Sequence, residues 1–142
     1  MIRIKISLVT LLCYVLLLST SLPTFAIDAR LSHGVSSIQL FGITSTGMAE
    51  VSVDYQGNES SFTDVTVETY IQKRSLGFIW TKVDNGEENK TWVDTSSSRT
   101  GYFVHHLQLD SKGTYRAVFK ITFSGTGAED DVIETTREYV YE

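Results

Sequence analysis

Residues 107–123 constrain the fold more than any other part of the chain. From Tyr115 onward, apolar and polar residues alternate over nine positions, which puts Tyr115, Ala117, Phe119, Ile121 and Phe123 on one face. A period of two is typical of a β-strand with one buried face. Residues 110–113, just before it, contain the Asp, Ser and Gly that favour a tight turn. The stretch therefore predicts strand, turn and strand in an antiparallel sheet.

Seven further segments have the composition and alternation of strands. They lie at 38–43, 49–55, 65–72, 77–83, 89–95, 102–109 and 132–141. The connections are short and polar, and no segment has the 3.6-residue period of an amphipathic helix. We therefore predict an all-β fold, a single antiparallel β-sandwich of about seven or eight strands that spans residues 37–142.

The pair Asn85-Gly86 is the strongest hairpin signal in the chain, because both residues tolerate the positive φ angles of a type I′ turn. It predicts that segments 77–83 and 89–95 pair with each other. A three-residue loop at this turn places Trp80 directly opposite Trp92.

The sequence Leu-Asp-Ser-Lys-Gly-Thr-Tyr-Arg-Ala at 109–117 resembles the entry to the sixth strand of immunoglobulin-like and fibronectin type III domains. The resemblance implies that Tyr115 closes a corner by hydrogen bonding to upstream backbone. Ala117 stands where such domains often carry a disulfide cysteine. In length and general pattern the chain also resembles small secreted proteins of Gram-positive bacteria, and this similarity transfers no functional residue.

Residues 1–26 have the pattern of a secretory signal peptide. Arg3 and Lys5 precede an apolar run at 6–18, and small residues lead to a cleavage point between Ala26 and Ile27. We expect a secreted, extracellular protein that begins with an N-terminal lead at 27–36. At about 13 residues, the apolar run is shorter than the ~20 residues that span a bilayer.

Charge and cysteine content restrict the possible partners. Removing 26 of the 142 residues leaves 10 basic and 17 acidic residues, a net charge of about −7. This balance argues against a nucleic acid or an anionic membrane as the partner. The single cysteine, Cys13, lies in the signal peptide, so we expect no disulfide and no thiol nucleophile.

Metal binding has one candidate site. Glu129, Asp130 and Asp131 supply the carboxylate oxygens that calcium prefers, although a solvated acidic loop has the same composition. His105 and His106 are adjacent on a predicted strand, so they point to opposite faces and do not favour a shared ion. We therefore expect no cofactor.

Catalytic motifs are missing, since no serine lies in a Gly-x-Ser-x-Gly sequence. The leading hypothesis is a non-catalytic module that binds an extracellular glycan or protein. Its candidate ligand-binding residues are Trp92, Trp80 and Tyr102, although both tryptophans also suit a core. A second hypothesis is a structural surface or matrix component that associates through strand edges. A third is a small secreted hydrolase with two convergent carboxylates.

Overall fold

Eight strands provide nearly all the regular structure in residues 31–142, the part of the chain that the computed structural model describes. The predicted signal peptide and its cleavage point between Ala26 and Ile27 lie outside the described residues. The strands are β1 (Gly34–Ile43), β2 (Met48–Gly57), β3 (Phe62–Ser75), β4 (Ile79–Lys82), β5 (Trp92–Ser96), β6 (Thr100–Gln108), β7 (Gly113–Gly125) and β8 (Asp131–Tyr141).

The strands form two antiparallel sheets. One has three strands in the order β1-β2-β6, and the other has five. In the larger sheet β3 pairs with β7, which pairs with β8, while β4 and β5 both pair with the opposite edge of β3. In chain order, the first, second and sixth strands thus face a sheet centred on the third and seventh. The predicted all-β sandwich is confirmed.

The core lies between the inner faces of the two sheets, where alternation along β2, β3 and β7 places apolar side chains. The predicted inner face of β7 is confirmed, because all five of its residues are buried. At the start of this strand the Tyr115 hydroxyl donates a hydrogen bond of 2.5 Å to the carbonyl of Ser111. Tyr115 therefore closes the corner as the immunoglobulin-like resemblance implies.

Regular structure begins closer to the N-terminus than the sequence predicts. Strand β1 begins at Gly34, and the preceding His33 is fully buried. The Asp131 carboxylate accepts backbone hydrogen bonds from Ser32, His33 and Gly34. The predicted loose lead is therefore wrong for residues 31–36, because an acid distant in sequence holds this segment in place.

The predicted hairpin at Asn85-Gly86 is also wrong. Trp80 pairs with Arg74 of β3, and Trp92 pairs with Thr69 of the same strand, so β4 and β5 follow each other along one edge. The segment 84–91 loops out between them and contains a short 3₁₀ turn, Glu88–Lys90. Asn85 still forms a turn, since its side-chain oxygen accepts the backbone N–H of Glu87 at 3.1 Å.

Side chains link the two sheets at both open sides of the sandwich. On one side Phe41 of β1 packs edge-on against Tyr139 of β8, with ring centroids 6.3 Å apart. On the other side Nε2 of His105, on β6, lies 2.6 Å from Oδ2 of Asp94, on β5. The inner faces are thus occupied by packing, and surfaces for binding lie on the outer faces and turns.

Candidate functional site

The outer face of the three-stranded sheet carries a cluster of exposed apolar side chains. Ile38 and Leu40 of β1 are 60% and 62% exposed, and Tyr102 and Val104 of β6 are 74% and 40% exposed. We call these four residues the apolar face. A surface of this kind on a folded domain is typical of an interaction site.

The strand register places these four side chains in two rows across the sheet. Ile38 and Tyr102 both pair with Asp54 of β2, and Leu40 and Val104 both pair with Ser52. Neighbouring strands lie about 4.8 Å apart, so each row spans roughly 10 Å. The apolar face is therefore a flat platform with two polar residues between its apolar edges.

The choice of which face of β1 points into the core explains why Ile38 and Leu40 are exposed. The strand turns Gln39, Phe41 and Ile43 inward, and Gln39 is buried although it is polar. The Gln39 amide nitrogen donates a hydrogen bond of 2.7 Å to the Ser37 hydroxyl. Its neighbours on either side must then face outward, because successive side chains on a strand alternate.

Charged residues define the two ends of the apolar face. Asp54 is exposed between Ile38 and Tyr102. Beyond Leu40 and Val104, Nε2 of His106 lies 2.9 Å from Oε2 of Glu50. The carboxylate of Asp54 thus gives the platform a negative group at one end, while the acid at the other end is paired.

The three predicted ligand-binding residues are not brought together. Trp92 is only 7% exposed, and its ring stacks on His105 at a centroid distance of 4.8 Å and an angle of 4°. Trp80 is half-buried on the outer face of the five-stranded sheet, with the Arg116 guanidinium 4.2 Å from its ring centroid. Tyr102 lies on the opposite sheet. Of the three, it is the most exposed.

A shallow basin on the outer face of the five-stranded sheet is filled by paired charges. Nζ of Lys120 lies 2.9 Å from Oε2 of Glu68, and this hydrogen bond and ion pair raise the pKa of Lys120 above its usual value. Nζ of Lys82 lies 4.1 Å from the centroid of the Tyr70 ring and covers it. Little of this basin is free to recognise a ligand.

The acidic loop, residues 129–131, is not assembled as a metal site. The Asp131 carboxylate accepts three backbone N–H groups, and the Asp130 carboxylate accepts the Ser124 hydroxyl at 3.0 Å. Burial raises the pKa of Asp131, but the backbone hydrogen bonds outweigh it and hold this pKa below its usual value. Within residues 31–142 no three His, Cys, Asp or Glu side chains lie where they could hold a metal ion.

The two adjacent histidines point to opposite faces, as predicted. His105 turns inward to Asp94, and His106 turns outward to Glu50.

Within residues 31–142, no helix is long and apolar enough to cross a membrane.

Of the four residues of the apolar face, only Tyr102 was among the candidates named from the sequence, and Ile38, Leu40 and Val104 were not. The available signal was that β1 carries large apolar residues on both of its faces. One of those sets has to lie outside when a strand belongs to a sheet with one solvent-facing side.

No protein-family model matches this chain, and no curated protein matches it significantly. Among solved structures, the chain is similar to the crystal structure of a protein from Archaeoglobus fulgidus. The two share 18% sequence identity, the match covers 77% of this chain and 98% of that one, and the TM-score is 0.37. This similarity transfers no function to the chain.

Proposed function

We propose that this protein is a secreted, non-catalytic binding module that recognises an extracellular protein through the apolar face. The observation that carries the proposal is the exposure of Ile38, Leu40, Tyr102 and Val104 side by side on one sheet face. Covering such side chains releases about 25 cal/mol for each Å² of apolar surface removed from water. Nothing else in residues 31–142 covers them.

The apolar face suits a protein better than a glycan. Sugar recognition commonly uses an open aromatic ring beside hydrogen-bonding groups. Trp92 is buried beneath His105, and Tyr70 is covered by Lys82. Tyr102 is exposed, but aliphatic side chains share its sheet face. A mainly aliphatic platform with one tyrosine instead has the apolar character of the buried core of a protein interface, where charged residues are depleted.

The charge at one end of the face indicates the chemistry of the partner. Asp54 lies between Ile38 and Tyr102, and its carboxylate has to remain hydrated or gain a donor when the face is covered. An arginine or lysine in an otherwise apolar surface supplies such a donor. We therefore infer a partner whose contact surface is apolar with one basic group.

The arrangement of carboxylates supports a non-catalytic role. The carboxylates of Glu50, Glu68 and Asp94 each lie within 2.9 Å of a histidine or lysine nitrogen on another strand. A glycosidase needs two carboxylates that converge on one bond. Glu50 and Glu68 instead pair with the residues opposite them on adjacent strands, and Asp94 bridges the two sheets, so the three acids lie on three different surfaces of the sandwich.

Site-specific photo-crosslinking tests the proposal. A photoreactive amino acid replaces Val104 on the apolar face, and in a control variant it replaces the exposed Thr136 on the outer face of the other sheet. With proteins of the producing organism's surface and surroundings, we expect a discrete crosslinked partner for the first position and none for the second.

The partner, once purified, is titrated against wild type and the double variant Ile38→Ser, Leu40→Ser. Loss of two interface side chains is expected to raise Kd at least tenfold, on the order of 1–2 kcal/mol. Equal crosslinking from both positions, or an unchanged Kd, would contradict the proposal. A crosslink to a second copy of the chain would instead favour the structural, self-associating component.

A further inference from the structure

A second apolar surface lies at the turn between β3 and β4. Leu76, Phe78 and Ile79 are 82%, 75% and 43% exposed in succession around this turn. The turn is closed by a hydrogen bond of 3.2 Å from the backbone N–H of Phe78 to the carbonyl of Ser75. We call residues 75–79 the hairpin tip. Its side chains are not part of the core cluster.

The backbone of the hairpin tip does not explain its apolar residues. Leu76 and Gly77 have φ angles of 51° and 81°, in the left-handed region. Glycine and asparagine adopt this region readily, whereas a leucine there is sterically disfavoured. Leu76 is thus disfavoured by the local backbone conformation, and its side chain is not buried in the core either. Its apolar side chain is consistent with a contact outside the domain.

Charge is distributed unevenly around the hairpin tip. Residues 72–82 contain three basic residues, Lys73, Arg74 and Lys82, and no acidic residue, although acids outnumber bases in the chain as a whole. Arg74 pairs across the hairpin with Trp80, and its guanidinium lies 5.7 Å from the centroid of that ring. Since a strand rises about 3.3 Å per residue, Lys73 and Arg74 lie within roughly 10 Å of the apolar turn.

This order of side chains matches the layers of an anionic lipid surface. Apolar side chains favour the acyl boundary, tryptophan favours the interface, and lysine and arginine favour anionic headgroups. We propose that the hairpin tip inserts Leu76, Phe78 and Ile79 into the interfacial layer of an anionic bilayer. A tight turn with three exposed apolar side chains suits a lipid layer, which deforms around it.

The acidic net charge of the chain does not prevent this contact. Charges further from the membrane than the Debye length, about 8 Å at physiological ionic strength, are largely screened. The charged residue nearest the hairpin tip along the chain is Arg74, two residues from Leu76, which is roughly 7 Å along the strand. The expectation that the protein has no membrane partner was based on the net charge, and a net charge does not show where on the surface the basic residues lie. The hairpin tip belongs to the opposite sheet from the apolar face, so the proposal does not depend on the proposed protein partner.

Vesicle sedimentation tests the proposal with residues 27–142, which include the whole described domain and lack the apolar run at 6–18 that would itself bind lipid. The probes are vesicles of phosphatidylcholine alone and of phosphatidylcholine with phosphatidylglycerol at a ratio of 3:1. We expect binding to the anionic vesicles, weaker binding at high salt, and little binding to neutral vesicles.

Two variants separate the apolar and the charged contributions. Leu76→Ser with Phe78→Ser is expected to weaken binding at least about fiftyfold, since two exposed apolar side chains are lost. Lys73→Gln with Arg74→Gln is expected to weaken binding to anionic vesicles by tenfold or more. The control is Ile38→Ser with Leu40→Ser, which removes two exposed apolar residues from the other sheet and should bind vesicles like wild type.

Several results would overturn the proposal. They are absence of binding to anionic vesicles, equal binding to neutral and anionic vesicles, and unchanged binding of the Leu76, Phe78 variant. An equal loss of vesicle binding in the Ile38, Leu40 control would also overturn it, because the contact would then be general hydrophobic adhesion. Urea denaturation of each variant shows whether it remains folded. We expect all of them to fold, because the substituted side chains are exposed.

Discussion

Replacing Asp131, the first residue of β8, by asparagine should destabilise the domain far more than replacing a typical acid at the surface. Its carboxylate accepts the backbone N–H groups of Ser32, His33 and Gly34 at 2.9, 2.5 and 2.9 Å. These bonds join the start of β8 to the start of β1, almost 100 residues away. Asparagine has the same shape, but it keeps one acceptor oxygen and turns an NH₂ group toward backbone donors.

The size of the effect follows from these three bonds. A hydrogen bond to a charged group contributes about 1.5–3 kcal/mol to stability, and a donor left without a partner costs about 1–3 kcal/mol. Asp131 is half-buried, so water replaces part of what is lost. We therefore expect Asp131→Asn to lower the free energy of unfolding by about 2–4 kcal/mol at pH 7.

The effect should depend on pH with a defined sign. The backbone hydrogen bonds outweigh burial and lower the pKa of Asp131 in the folded state. A carboxylate with a depressed folded pKa stabilises the protein fully above its unfolded pKa, about 4, and the contribution disappears as the pH falls through the folded value. The difference between wild type and Asp131→Asn should therefore be constant near neutral pH and shrink below about pH 4–5.

Urea denaturation followed by the fluorescence of the buried Trp92 measures this difference between pH 7 and pH 2.5. The matched control is Asp130→Asn, the adjacent acid, whose carboxylate accepts one bond of 3.0 Å from the Ser124 hydroxyl. We expect it to change stability by less than about 1 kcal/mol. If Asp131→Asn costs no more than Asp130→Asn, or if its cost is the same at both pH values, the reasoning is refuted.

Three further predictions concern the core and the acidic loop. Tyr115→Phe removes the 2.5 Å bond to the Ser111 carbonyl and should cost about 1–2 kcal/mol in urea denaturation, whereas a cost near zero would contradict its corner role. His105→Ala, made in a Trp80→Phe background, should red-shift the emission of Trp92 by uncovering its ring, and an unchanged spectrum would contradict the stacking. Adding 5 mM calcium should leave Tm unchanged, and a rise of several degrees would show that the acidic loop binds the ion.

Periodicity in the sequence predicted the strands well, because alternation is a local property that each segment carries by itself. Pairing between strands was predicted less well. Asn85 and Gly86 do favour a turn, but nothing in them shows that Trp80 and Trp92 both lie along β3 instead of opposite each other. The choice of partner depends on which edge of the sheet is free, and that is a property of the whole fold.

The placement of individual side chains failed where distant groups decide it. His33 is buried and Asp131 is bound to backbone because the two ends of the domain meet, and no local pattern records this contact. The same limit applies to the tryptophans. Trp92 is covered by His105 from the other sheet, whereas Trp80 faces outward, although each lies in a short strand between one polar and one apolar residue.

The candidate binding surface arises from a conflict within β1. Turned over, this strand would bury Ile38 and Leu40 and expose Gln39, which agrees better with the polarity of those three residues. It would also expose Ile43 and remove Phe41 from its contact with Tyr139, by which β1 meets β8. A one-residue slip exchanges the two faces completely, so the strand cannot bury both sets of apolar residues.

In the structure, Phe41 and Ile43 face the core, and the buried Gln39 amide donates a hydrogen bond to the Ser37 hydroxyl. Local preferences that a fold overrides occur mainly at functional sites. For this reason the exposure of Ile38 and Leu40 is better evidence for binding than the count of aromatic residues.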